Sequence, residues 1–200
     1  VSIDTRRRRF LTATTSAVGA LGIGAAAWPF IAAWRPSARA RAEFGPIVVD
    51  VAKLEPGQQI TLAWRGQPVW VLHRTPEMVA SLRQTTASLR DPTSTVASQQ
   101  PEYAQNVGRS LTPEFFVTVA LCTHLGCVPT YRSDRAPPDL GSAWPGGYFC
   151  PCHGSRFDLA GRVFASVPAP TNLLVPPHRF IAKGLLEIGV APQPDTSSSS

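Results

Sequence analysis

Cys122-Thr123-His124-Leu125-Gly126-Cys127 and Cys150-Pro151-Cys152-His153-Gly154-Ser155 decide how this chain is read. They hold all four cysteines and two of the four histidines of the 200 residues. Each stretch offers one Cys and one His at close spacing, Cys122-x-His124 and Cys150-x-x-His153, with one further cysteine, Cys127 or Cys152. Two thiolates and two imidazoles brought together on two loops could hold a metal. A tetrahedral structural zinc uses the same side chains, but the usual C-x2-C and H-x3-5-H spacings are absent and zinc gives no reason for Cys127 and Cys152. Two ordinary disulfides with bystander histidines leave the repeated Cys/His pairing unexplained.

The net charge of +6 is unevenly spread. Residues 1–41 carry seven arginines and one aspartate, whereas residues 42–200 carry twelve basic and twelve acidic side chains. A nucleic-acid partner needs a basic face on the folded domain. The neutral body offers none, so that class is excluded.

Within the N-terminal segment, Arg6-Arg7-Arg8-Arg9-Phe10-Leu11 precedes an apolar run, and Ala17–Trp34 has neither a charge nor a hydroxyl. The expectation is a short basic segment at 1–10 on the cytoplasmic side and a transmembrane helix over 11–34. As a helix, Leu11–Trp34 extends about 36 Å, enough to cross a hydrocarbon core of ~30 Å. Trp28 and Trp34 suit the far interface, and Pro29 is expected to kink the last turns. Ala38-Arg39-Ala40 and Ala40-Arg41-Ala42 resemble signal-peptidase sites, so a cleaved signal is the competing reading; the apolar run exceeds a normal h-region and favours a retained anchor. Residues 35–45 have no periodicity and read as a linker able to act as a hinge.

From 46 to 190 the pattern turns to strands. Pro46–Val51, Gln59–Trp64 and Pro68–His73 are short, rich in Val, Ile, Leu and Trp, and separated by turn residues. Thr75-Pro76 marks a helix start, Thr as N-cap and Pro at the first position, with the helix running to about Leu89. The polar residues 91–112 form a long loop, and Phe115–Leu121 is a buried strand leading into Cys122. Leu173–Val175, Phe180–Lys183 and Leu185–Val190 complete the β pattern. The tail 191–200 is of low complexity and expected to be disordered.

The paired loops resemble the cluster-binding loops of Rieske iron–sulfur proteins, where two Cys ligate one iron and two His the other iron of a [2Fe–2S] centre. The likeness extends over Cys-Thr-His-Leu-Gly-Cys-Val-Pro (122–129) and Pro-Ala-Pro-Thr-Asn-Leu (168–173). Arg7-Arg8-x-Phe10-Leu11 is similar to the twin-arginine signal that exports folded proteins. The resemblance implies a mostly β fold: an antiparallel Rieske domain with the cluster-binding part (about 121–167) inserted between strands of a base, preceded by one N-terminal transmembrane helix. It implies Cys122 and Cys150 on the inner iron, His124 and His153 on the outer iron facing solvent, and a Cys127–Cys152 disulfide tying the loops.

Ser155 matches the serine that donates a hydrogen bond to a bridging sulfide. Phe157 stands where the family commonly has a tyrosine donating to a cysteine sulfur, so one donor is missing and a lower potential is expected. Pro168-Ala169-Pro170 resembles the proline loop over the cluster, with Val167 in place of a frequent Gly. Tyr131–Gly147 is longer than in compact members. Leu125 is expected either to shield the cluster or simply to pack. His73 and His178 lie outside the motifs and read as structural or surface residues.

The function implied is that of the iron–sulfur subunit of a bacterial quinol–cytochrome c reductase of the bc1 type. It sits in the inner membrane with its Rieske domain in the periplasm, in a dimeric complex. It takes an electron and a proton from ubiquinol through His153 and His124, and works with cytochrome b and cytochrome c1. The alternatives are an anchored Rieske subunit of another complex, such as an arsenite oxidase or b6f type, or a soluble exported carrier.

Overall fold

The computed structural model describes residues 4–34 and 44–193. The chain divides into two units, Val1–Glu43 and Phe44–Ser200. In the first, α1 (Thr5–Ala33) begins earlier than the apolar run, because the Asp4 side chain accepts the backbone N–H groups of Arg6 and Arg7 and so caps the helix within the arginine stretch. The helix continues past Pro29 to Ala33. Its 29 residues contain an 18-residue window of mean hydropathy 1.5, long and apolar enough to cross a membrane. Most of the linker expected at 35–45, from 35 to 43, and tail residues 194–200 lie outside the described residues.

The second unit is layered by strand periodicity. Gln59–Trp64 (β2), Gln67–His73 (β3) and Phe115–Val119 (β4) form one antiparallel sheet with β3 in the middle. Successive side chains of a strand point to opposite faces. Val69, Val71, Val117 and Val119 therefore enter one core, and Trp70, Leu72 and Phe116 the other. A strand buried on both faces must read as a continuous apolar run, as Val69-Trp70-Val71-Leu72 does. Each such fully buried side chain contributes about 1.5–3 kcal/mol.

The valine face packs on a sheet made of Ile47–Asp50 (β1), His178–Ala182 (β8) and Leu185–Ile188 (β9), in the order β1-β9-β8, through Leu186 and Ile188. The aromatic face packs on Thr130–Arg132 (β5), Gly147–Phe149 (β6) and Arg156–Phe157 (β7), the sheet that carries both Cys/His loops. Trp70 stacks on Tyr148 at 5.0 Å between ring centroids, and the Tyr131 hydroxyl donates to the Gly57 carbonyl at 3.1 Å.

Three expectations change. The helix α2 (Pro76–Gln84), capped by Thr75 through Met78 N–H, stops short of Leu89 and gives way to a 3-10 turn at Thr86–Ser88. Leu173–Val175 is not a strand: its N–H groups at Leu173 and Val175 go to the carbonyls of Gly161 and Gln99, so it runs as a cross-link between layers, with Leu173 and Val175 buried and Leu174 exposed. The 91–112 stretch is not a plain polar loop. It has 3-10 turns at Ala97–Gln99 and Glu102–Ala104 and sends Arg109 into the interior. In the long span after Tyr131, Arg132 pairs with Asp134 and Asp139, and Trp144 stacks against Phe164.

Candidate metal centre

Both Cys/His loops are built on one backbone pattern. In the first, Cys122 N–H donates to Cys127 O (2.8 Å) and Gly126 N–H to Cys122 O (2.9 Å); in the second, Cys150 N–H donates to Ser155 O (2.8 Å) and Gly154 N–H to Cys150 O (3.0 Å). Gly126 and Gly154 stand at φ +79° and +76°, a left-handed conformation open to glycine at little cost. The pattern puts a cysteine at the first position of each loop. The histidine falls third in one loop and fourth in the other.

β4 delivers the first loop and the β6–β7 hairpin the second. Gly147 permits that hairpin, since a Cβ there would lie 2.1 Å from the Phe157 carbonyl oxygen. Cys122 and Cys150 are buried free thiols, whereas Cys127 and Cys152 are joined in a disulfide. The sulfurs of Cys127, Cys150 and Cys152 lie within 4.8 Å of one another. Two of these are bonded to each other, so the trio is not a ligand set. The available donors are the two free thiols and the two imidazoles.

The His124 and His153 rings meet edge to face at 4.8 Å, His153 being exposed and His124 half-buried. His124 Nδ1 is buried and has no hydrogen-bond partner. A buried ring nitrogen left unpaired is costly, and a metal is the partner its surroundings fit. Burial pushes the Cys150 thiol up, against backbone N–H donation from Cys152 and His153, and neighbouring Cys122 pushes it further up. A bound cation would favour the Cys150 thiolate. Two thiols, two imidazoles and one orphaned ring nitrogen therefore fit a two-Cys, two-His iron–sulfur centre.

Ser155 is fully buried behind the second loop, and its Oγ accepts the Ala169 N–H at 3.0 Å. Prolines 168 and 170 have no N–H, so Ala169 supplies the only backbone donor of Pro168-Ala169-Pro170. That bond occupies the serine's acceptor side and leaves its proton to point elsewhere. Thr123 Oγ1 donates to Thr171 O at 2.7 Å, and Arg90 to Val167 O at 3.0 Å, holding the same segment against the site. Phe157 is fully buried in the core beneath the loops. Leu125 is 71% exposed at the tip, so it does not pack inward. Of the remaining histidines, His178 is buried and bonded to Pro176 O and Tyr103, and His73 stacks on Phe115, away from the loops.

Sequence reading missed the charged interior beside the site. Arg74, Arg109, Arg162 and Asp158 are all at most 2% exposed. Arg162 pairs with Asp158 at 2.7 Å. The i,i+4 spacing of Asp158-x-x-Gly161-Arg162 was the available signal. Arg109, at φ +50°, had none, because it lies in a stretch whose composition reads as solvent-exposed.

The Rieske [2Fe-2S] domain model matches residues 46–178, and the model described as the ubiquinol–cytochrome c reductase Fe-S subunit TAT signal matches residues 2–37. The ubiquinol–cytochrome c reductase iron-sulfur subunit of Allochromatium vinosum is 55% identical over 187 residues, covering 94% of this chain and 90% of the relative. Those of Rhodospirillum rubrum (41% over 187 residues, 93% of each chain) and Blastochloris viridis (40% over 188 residues, 93% and 94%) are also similar.

Proposed function

The chain belongs to the Rieske iron–sulfur family, as a bacterial-type iron–sulfur subunit of ubiquinol–cytochrome c reductase, and from that premise we propose how its residues take an electron and a proton from quinol. It is the electron-transfer subunit of a quinol–cytochrome c reductase-type complex. Cys122 and Cys150 hold one iron and His124 and His153 the other; the observation that carries this assignment is the orphaned, buried Nδ1 of His124 beside two free thiols. A [2Fe–2S] centre so ligated supplies a one-electron acceptor at a potential between roughly −150 and +300 mV.

The protein's part is to present that acceptor. His153 is exposed and offers the hydrogen bond to the quinol hydroxyl, receiving its proton on the ring nitrogen that faces solvent, with His124 beside it. The exposed Leu125, Val128 and Pro168, on the first loop and the proline segment, offer apolar surface suited to closing against a quinol pocket in cytochrome b and excluding water. The Cys127–Cys152 disulfide ties the two loops, and an exported location permits it. α1 anchors the chain in the bacterial inner membrane after twin-arginine export, Arg6–Arg9 on the cytoplasmic side and the Rieske domain in the periplasm. Residues 35–45 act as the hinge on which the head travels to cytochrome c1, within a dimeric complex.

The test is a redox titration of the full-length protein in membranes, followed by EPR at several pH values. The expected result is a Rieske signal whose potential falls as pH rises, abolished by His124→Ala or Cys150→Ala. A potential indifferent to pH around neutrality would sink quinol-coupled proton uptake and point to a plain electron carrier.

A further inference from the structure

Three guanidinium groups and one carboxylate are fully buried beside the metal centre. Arg162 has its own anion in Asp158, at 2.7 Å. Arg109 spends its donors on the Gln99 and Ala160 carbonyls and the Gln100 side-chain oxygen, at 2.9, 3.2 and 3.0 Å. Arg74 spends its donors on Gly108 O at 2.8 Å and Ser110 Oγ at 2.7 Å. All these partners are neutral, and the Nε of both Arg74 and Arg109 has no partner. Asp158 also acts on Arg74 and Arg109, but Arg162 takes up its carboxylate, so three buried guanidiniums share one buried anion; the half-buried Asp91 carboxylate faces Arg109 but is taken up by Thr95 and the Val96 N–H. Burial draws both guanidiniums down only to about 10, so both stay charged near neutrality.

Buried positive charge in excess of its counter-ion is expensive, and neutral amides could bond the same carbonyls. A centre held by two thiolates and two neutral imidazoles carries no net charge when oxidised and gains one negative charge on reduction. We infer, on the reading of this site as a Rieske centre, that Arg74 and Arg109 serve as its buried counter-charge and raise its reduction potential by stabilising the reduced form. The residues between Arg74 and the free thiols are buried and aromatic. The Arg74 guanidinium lies 5.3 Å over the Phe116 ring, Phe116 lies 6.4 Å from Tyr148, and both rings share one buried core with Cys122 and Cys150. In a medium of effective dielectric constant about 20, a unit charge shifts an equilibrium about tenfold at a separation of roughly 12 Å and less at greater ones.

The experiment titrates the full-length protein in membranes with redox mediators and EPR detection, comparing wild type with Arg109→Gln, Arg109→Lys, Arg74→Met and Asp158→Asn. Neutralising either arginine is expected to lower the reduced-to-oxidised ratio at a fixed poise by severalfold to about tenfold, tenfold being 59 mV for one electron. Arg109→Lys should recover most of the loss, and Asp158→Asn should move the potential upward. Arginines that merely clamp the 158–162 turn would give a lysine variant as damaged as the glutamine one and no upward shift. Unchanged potentials in Arg109→Gln and Arg74→Met with intact signals would overturn the inference, as would a downward shift in Asp158→Asn. If Asp158→Asn fails to assemble a centre, the two Arg109 variants decide alone. A wild-type protein without a [2Fe–2S] signal would bring down the Rieske reading itself; a normal signal with unresponsive potentials would bring down this inference only.

Discussion

Ser155→Ala separates two roles of one buried oxygen. The side chain is fully buried, and among the described residues its partner is the Ala169 N–H at 3.0 Å. Removing the oxygen orphans that N–H in both oxidation states, which costs about 1–3 kcal/mol of stability and leaves the potential alone. The serine proton is a different matter. With its acceptor side occupied by Ala169, the hydroxyl is free to donate toward the metal centre. A hydrogen bond to a charged group is worth about 1.5–3 kcal/mol, roughly twice one to a neutral group. The reduced form therefore loses ~0.75–1.5 kcal/mol more than the oxidised form, and the potential should fall by about 30–65 mV. EPR-monitored titration in membranes reads the potential, and thermal denaturation of the same preparation reads the stability. A variant with an intact signal and an unmoved potential would refute the orientation deduced for the hydroxyl. A lowered potential at undiminished stability would refute the stabilising Ala169 contact.

Phe157→Tyr should raise the potential, because it adds a hydroxyl donor beneath the Cys/His loops; a fall in the same titration would show that the buried ring cannot place its hydroxyl on a cysteine sulfur. His178 should make the fold acid-labile. Burial lowers it to about 4, so below pH 6.5 the unfolded chain takes up a proton that the folded one refuses. Stability should then decline by about 1.4 kcal/mol per pH unit, about 3 kcal/mol in all by pH 4. Denaturant titrations across that range should show the decline in wild type and not in His178→Asn, and parallel curves would contradict it. Gly147→Ala should prevent assembly of the centre, since its Cβ would meet the Phe157 carbonyl at 2.1 Å and the β6–β7 hairpin could not close; a normal yield of the EPR-active protein would show that the backbone moves aside.

The sequence by itself determined the features that depend on local chemistry. Four cysteines and two histidines at that spacing leave few chemical roles, and a run of eighteen residues without charge or hydroxyl is legible because one residue after another obeys the same rule. Strands β2, β3 and β4 were equally plain, since burial on one or both faces writes itself into consecutive side chains. Tertiary structure alone decided the rest. The short strands β5, β6 and β7 have two or three residues each, too few to show a period, and they exist because Tyr148 is gripped between Trp70 and Phe116 from another sheet. Leu173–Val175 looks like a strand by composition, but its N–H groups find Gly161 and Gln99 rather than a neighbouring strand. Arg74 and Arg109 look like surface residues for the same reason: a charged side chain is bound for solvent unless distant carbonyls converge on it, and those carbonyls are brought together only by the finished fold.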